Sequence, residues 1–96
     1  MKKFSSIGEI RIEIDKIDLK ILELISERKN LVTEVVKLKS RDQIIDKERI
    51  NFILDKLSLE AKKRGVPQKM VKGLWDFMIK SFIKYEEKIF DEINKK

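Results

Sequence analysis

Apolar residues recur along the first third of the chain in alternating steps of four and three. Ile10, Ile14, Ile17, Ile21, Leu24, Leu31, Val35 and Leu38 share one helical face, and Arg28 falls in the same register. That spacing is a heptad seam, and it predicts a first helix over 6–39. A second helix is predicted over 46–64, with Ile50, Ile53, Leu54, Leu57 and Ala61 on one face. The third, over 67–94, is broader and more aromatic: Met70, Val71, Leu74, Trp75, Met78, Ile79, Phe82, Tyr85, Ile89 and Ile93. Two breaks separate them. Lys39-Ser40-Arg41-Asp42-Gln43 is a short polar stretch. In Arg64-Gly65-Val66-Pro67, Gly65 suits the position just past a helix and Pro67 the first turn of the next.

A helix as long as the first runs about 50 Å at about 1.5 Å per residue, more than a compact chain of this size can cover. A short helical chain also buries too little of its own surface to be comfortable alone. The expected fold is therefore all-α. A single domain, 1–96, forms a three-helix chain with a long first helix, completed as an intertwined homodimeric helical bundle.

Composition narrows the chemistry. Apolar and charged residues each make up 42% of the 96 residues, and so much charge needs the ample surface of long thin helices. There is no cysteine and no histidine, which excludes disulfides, thiolate zinc sites, cysteine nucleophiles and every dyad built on imidazole. Any catalysis falls to Lys, Arg, Asp, Glu, Ser or Tyr. The opening MKKFSSIGEIRIEID has no apolar core of a signal sequence, and no apolar run is long enough to span a bilayer. These absences point to a soluble, cytoplasmic protein without membrane contact.

The net charge of +6 favours anionic partners, although part of it sits at the ends, in Lys2, Lys3, Lys95 and Lys96. A basic helical dimer that binds nucleic acid or another anionic partner is the reading from a different class. Against it, the basic residues form no single outward stripe and are not interleaved with aromatics, so no nucleic acid is expected.

Several charges stand where apolar residues belong. Arg28 interrupts an otherwise aliphatic seam, and a buried guanidinium needs an anion beside it. That anion is either a structural partner or a ligand carboxylate, which the planar fork of arginine fits. Lys39 lies eleven residues further on, almost three turns if the helix continues, so both would point the same way about 16 Å apart. Read alone, Lys39 is equally a solvated lysine at a helix C-terminus. Arg11 lies about 25 Å from Arg28 along the axis, so the two share a small ligand only if a second, antiparallel copy brings its Arg11 alongside. In the third helix Glu86 interrupts the stripe of Trp75, Ile79, Phe82 and Ile89 or Ile93. Enclosed among apolar groups, its carboxyl would favour the protonated form and donate a hydrogen bond. The alternative is pairing with Lys84 or Lys88 in water. Whether Ser81 or Tyr85 faces inward depends on the rotation of the same helix.

These anomalies coincide with a family pattern. Gly8-Glu9-Ile10-Arg11, Ile14-Asp15, Ile17-Asp18, Ile21, Leu22, Leu24 and Ile25 resemble the opening of AroQ-class chorismate mutases. So do Glu27-Arg28 with Val35, Val36 and Lys37-Leu38-Lys39; Asp46-Lys47-Glu48-Arg49-Ile50 opening the second helix; and Gly73 to Ile79 continuing to Glu86. The resemblance covers nearly the whole chain, and its most specific part is the spacing of Arg11, Arg28 and Lys39.

The resemblance implies a cofactor-free, metal-free isomerase of the shikimate pathway, rearranging the dianion chorismate to prephenate in aromatic amino acid biosynthesis. It implies a homodimer in which Arg28 and the partner's Arg11 clamp the two carboxylates of the substrate. Lys39 would meet the ether oxygen and a carboxylate, Glu48 the ring hydroxyl, and Glu86 would stand where many members have a glutamine facing the ether oxygen. Four departures qualify the match. Lys47 stands where many members have arginine, and Arg49 is a neighbouring substitute for it. The link between the first two helices is short, Phe82 replaces a serine of some members, and Glu86 replaces glutamine. The short link and Phe82 also resemble the related isochorismate–pyruvate lyases, which yield salicylate and pyruvate.

Overall fold

The computed structural model describes residues 3–95. The terminal Lys2 and Lys96, named above, lie outside them. Helix α1 spans Ile7–Val36, a single 3-10 turn follows at Arg41–Gln43, and helices α2 and α3 span Lys47–Lys63 and Gln68–Ile93. The chain is all-α, with no strand among the described residues. It divides into two compact units, Met1–Val32 and Thr33–Lys96.

The first unit is the greater part of α1. Its entry is tied down locally. The Ser5 amide and hydroxyl donate to the Glu9 carboxylate at 2.9 and 2.8 Å, and the Glu9 amide donates to the Ser6 hydroxyl at 3.2 Å. The last of these satisfies a donor that a helix start leaves open. The aliphatic seam of this unit is exposed: Ile10, Ile14, Ile17, Ile21 and Leu24 are 41–63% exposed.

The second unit holds the last turn of α1, the connecting segment, α2 and α3. Its buried residues are Val36, Ile44, Ala61, Val71 and Ile79, with Glu86 among them. The apolar face expected for α2 is turned inward: Ala61 is buried, and Ile50, Ile53, Leu54 and Leu57 are half-buried. On α3 the inward positions are Val71, Trp75, Met78, Ile79, Phe82, Tyr85 and Ile89, whereas Met70, Leu74 and Ile93 remain exposed.

Asp46 caps α2, its carboxylate accepting the Arg49 amide at 3.0 Å. The helix closes as the sequence predicts. The Val66 amide bonds the Ala61 carbonyl and the Gly65 amide the Lys62 carbonyl, at 2.9 and 3.3 Å, which is the Schellman pattern. Gly65 takes the left-handed conformation this requires, at φ 69°. Pro67 is the residue before α3 and not its first helical residue, one position from expectation.

The end of α1 differs more. The helix stops at Val36, not at 39, and the Leu38 and Lys39 amides close onto the Val35 and Val36 carbonyls. Ile44 is 4% exposed, so the chain must turn back after the buried Val36 to bring it inside. Ser40 and Gln43 supply the alternative bonding, with the Ser40 amide donating to the Gln43 Oε1 at 2.8 Å. Leu38, expected to continue the seam, lies outside the helix and is 88% exposed. Lys39 likewise lies beyond the end of the helix that carries Arg28.

Candidate active site

The turn after α1 and the start of α2 enclose an open groove of about 580 Å³. Its walls are Val35, Leu38 and Lys39 from the end of α1 onward, Asp42, Gln43 and Ile45 from the connecting segment, and Asp46, Lys47 and Glu48 from the start of α2. Three residues singled out in the sequence, Lys39, Lys47 and Glu48, thus line one cavity. Glu48 lies in the first turn of α2, where a carboxylate is favoured by the helix dipole.

Lys39 connects the groove to α3. Its Nζ donates to the Glu86 Oε1 at 3.0 Å, with the lysine side chain 23% exposed and the glutamate side chain 10% exposed. Glu86 therefore faces inward, as its place in the apolar stripe suggested, but its partner is neither Lys84 nor Lys88. Lys39 is not a solvated end-of-helix lysine either. An ammonium and a carboxylate so shielded interact more strongly than an exposed pair, and each offsets the desolvation of the other.

Other expectations sort by position. Lys47 lines the groove; Arg49 is exposed, its guanidinium 5.3 Å above the Phe52 ring. Phe82 is half-buried and packs edge-on against Tyr85, with centroids 6.3 Å apart at 84°. Neither Phe82 nor Glu86 forms the groove wall itself. Tyr85 points inward and shares a 2.7 Å hydrogen bond with the Thr33 hydroxyl, while Ser81 donates to the Phe77 carbonyl of its own helix. Arg11 and Arg28 belong to the first unit; Arg11 is exposed and Arg28 half-buried.

Sequence reasoning missed Asp42, Gln43 and Asp46 as groove walls. For Asp46 the signal is the helix cap, since an aspartate immediately before an amphipathic run marks a helix start. With them counted, the groove wall holds two lysines and three carboxylates. By itself that set does not favour a dianion, so an anionic ligand there needs further cations. The residues in the wall supply charge and hydrogen bonds. Among the described residues no helix is long and apolar enough to cross a membrane.

Comparison with known proteins gives a consistent match. Residues 10–87 fit the family model described as chorismate mutase type II. A chorismate mutase of Methanocaldococcus jannaschii is 30% identical over 92 residues, covering 94% of this chain and 93% of that protein. Two bifunctional chorismate mutase/prephenate dehydratases of Buchnera aphidicola, from the subspecies of Acyrthosiphon pisum and Schizaphis graminum, are 33% and 30% identical over 81 and 84 residues. The aligned parts cover 82% and 85% of this chain, but only 21% and 22% of those longer proteins.

Proposed function

The chain belongs to the type II chorismate mutase family, and we propose that it rearranges chorismate to prephenate with Lys39 and Glu86 at the reacting ether oxygen. The observation that carries this assignment is the shielded Lys39–Glu86 pair beside the groove. The reaction is a concerted rearrangement within one molecule. A C–O bond breaks as a C–C bond forms, and no proton is transferred and no covalent intermediate arises. That chemistry suits a chain without histidine or cysteine.

Two physical effects suffice. Cations that hold both carboxylates of a flexible dianion select its compact conformer, in which the bonding carbons approach. Negative charge then grows on the ether oxygen as the C–O bond lengthens, and a donor fixed beside it lowers the barrier further. Lys39 is that donor, with Glu86 contributing a second hydrogen bond when protonated. Lys47 and Glu48 meet the polar rim of the substrate, and Glu48 accepts from the ring hydroxyl. Arg28 and the partner's Arg11 take the carboxylates, the roles that the family resemblance gives them.

The second copy has independent support in two observations. The groove wall has more carboxylates than lysines, so a dianion requires cations from elsewhere. The seam of the first unit, Ile10 through Leu24, is exposed and offers the apolar stripe on which a second helix packs. A homodimer supplies both needs.

The assay follows loss of the ultraviolet absorbance of chorismate with prephenate identified as product, in parallel with isochorismate and salicylate fluorescence. Prephenate formation that collapses in Lys39→Ala is the expected result. Salicylate as the dominant product would replace the mutase reading with the lyase, and turnover of neither substrate would remove both.

A further inference from the structure

We propose that Arg41 is a positioning residue for Lys39, clamping the segment between α1 and α2 onto α3 while the lysine changes partners. The proposal rests on the assignment of Lys39 to the substrate. Its own ground is a second cross-link that runs beside the Lys39–Glu86 pair. The Arg41 guanidinium pairs with the Asp91 carboxylate and lies 5.2 Å from the centroid of the Phe90 ring. Arg41 follows Lys39 by two residues, and Asp91 follows Glu86 by five, roughly 7 Å further along the helix axis. Two links therefore join the same two stretches of chain.

They differ in what substrate does to them. The Lys39 ammonium is bonded to Glu86 in the free protein, and serving a substrate oxygen draws it away. The segment that carries Lys39, Asp42 and Gln43 into the groove would then lose a tie to α3 at the moment of binding. Its internal bonds are local, from the Gln43 and Ile44 amides to the Ser40 and Arg41 carbonyls, and do not replace that tie. The Arg41 contact does, because Arg41 does not line the groove and its partner lies on α3. Arginine suits this double contact, since one edge of its plane meets a carboxylate while its face covers a ring, which a lysine ammonium does not do.

A clamp of this kind acts on binding more than on chemistry. Without it, substrate must order the segment as it binds; once bound, Lys39 reaches the same place. Steady-state kinetics on Arg41→Ala, Asp91→Ala and the double variant read this directly. Each single change is expected to raise KM about three- to tenfold and to leave kcat within about twofold, the scale of an exposed ion pair plus a ring contact. The double variant should be no worse than Arg41→Ala, and Arg41→Lys should recover only part of the loss. Amide exchange without substrate should quicken across 37–46 in Arg41→Ala and stay unchanged in α2 and α3.

An active protein whose KM is unmoved by Arg41→Ala, or a double variant whose losses multiply, overturns the clamp. If the native chain does not turn over chorismate, the underlying assignment falls instead. Exchange across 37–46 then decides the clamp by itself.

Discussion

Lys39 and Glu86 stand 47 residues apart in the chain and meet at 3.0 Å, in a place where neither side chain is more than a quarter exposed. The contact orients both groups before any substrate arrives. Under the proposed mechanism it also sets a conflict, because the Glu86 carboxylate holds the ammonium assigned to the ether oxygen and repels a dianion.

The conflict predicts the outcome of a substitution. Glu86→Gln removes the charge that holds the ammonium and keeps a hydrogen-bond donor in its place. We expect it to raise kcat/KM by about tenfold, the equivalent of one neutral hydrogen bond. A variant no more active than the native chain removes the conflict assigned to Glu86.

Arg28 poses a contest between stability and function. It occupies a seam position whose other members are aliphatic, so Arg28→Leu should leave the fold intact or raise Tm by a few degrees. If Arg28 anchors a substrate carboxylate as proposed, the same substitution drops kcat/KM by about a hundredfold or more. Thermal melts alongside the prephenate assay separate the two effects. A variant that is destabilised and still active would make Arg28 a structural residue.

The contrast between α2 and the end of α1 shows what the sequence could reveal. Gly65 and the Asp46 cap are local signals, and the structure places the second helix within one residue of its expected bounds. The stop at Val36 has no such signal, since no glycine or proline follows before Ile44. It depends on burial of Ile44, a tertiary demand that periodicity does not register. The site divides in the same way. Glu86 was legible because a carboxylate broke an apolar stripe. Its pairing with Lys39, and the placement of Lys47 and not Arg49 in the groove wall, depend on side-chain directions that spacing alone leaves open.

Gly65 offers a test of the local reading. At φ 69° a side chain is strained although no atom lies within 4 Å of where a Cβ would be. Gly65→Ala should therefore cost about 1 kcal/mol through backbone strain alone. Gly65→Asn, which tolerates this conformation better, should cost less. Urea titrations would show the difference, and kcat should be unaffected in both. Equal losses in the two variants would point to some other origin than the backbone.

The shared site yields the sharpest test of the dimer. If each site takes Arg28 from one chain and Arg11 from the other, Arg11→Ala and Arg28→Ala homodimers are both inactive. Unfolded together and refolded at equal concentration, they form mixed dimers in half the population. Each mixed dimer has one site with both changes and one with neither. Activity should therefore return to about a quarter of the native level, as expected for random pairing across a two-fold axis. Refolding either variant alone should restore nothing. No recovery in the mixture, with mixed dimers demonstrated by mass, would mean that each chain builds its site alone, and the partner's Arg11 would have no part in it.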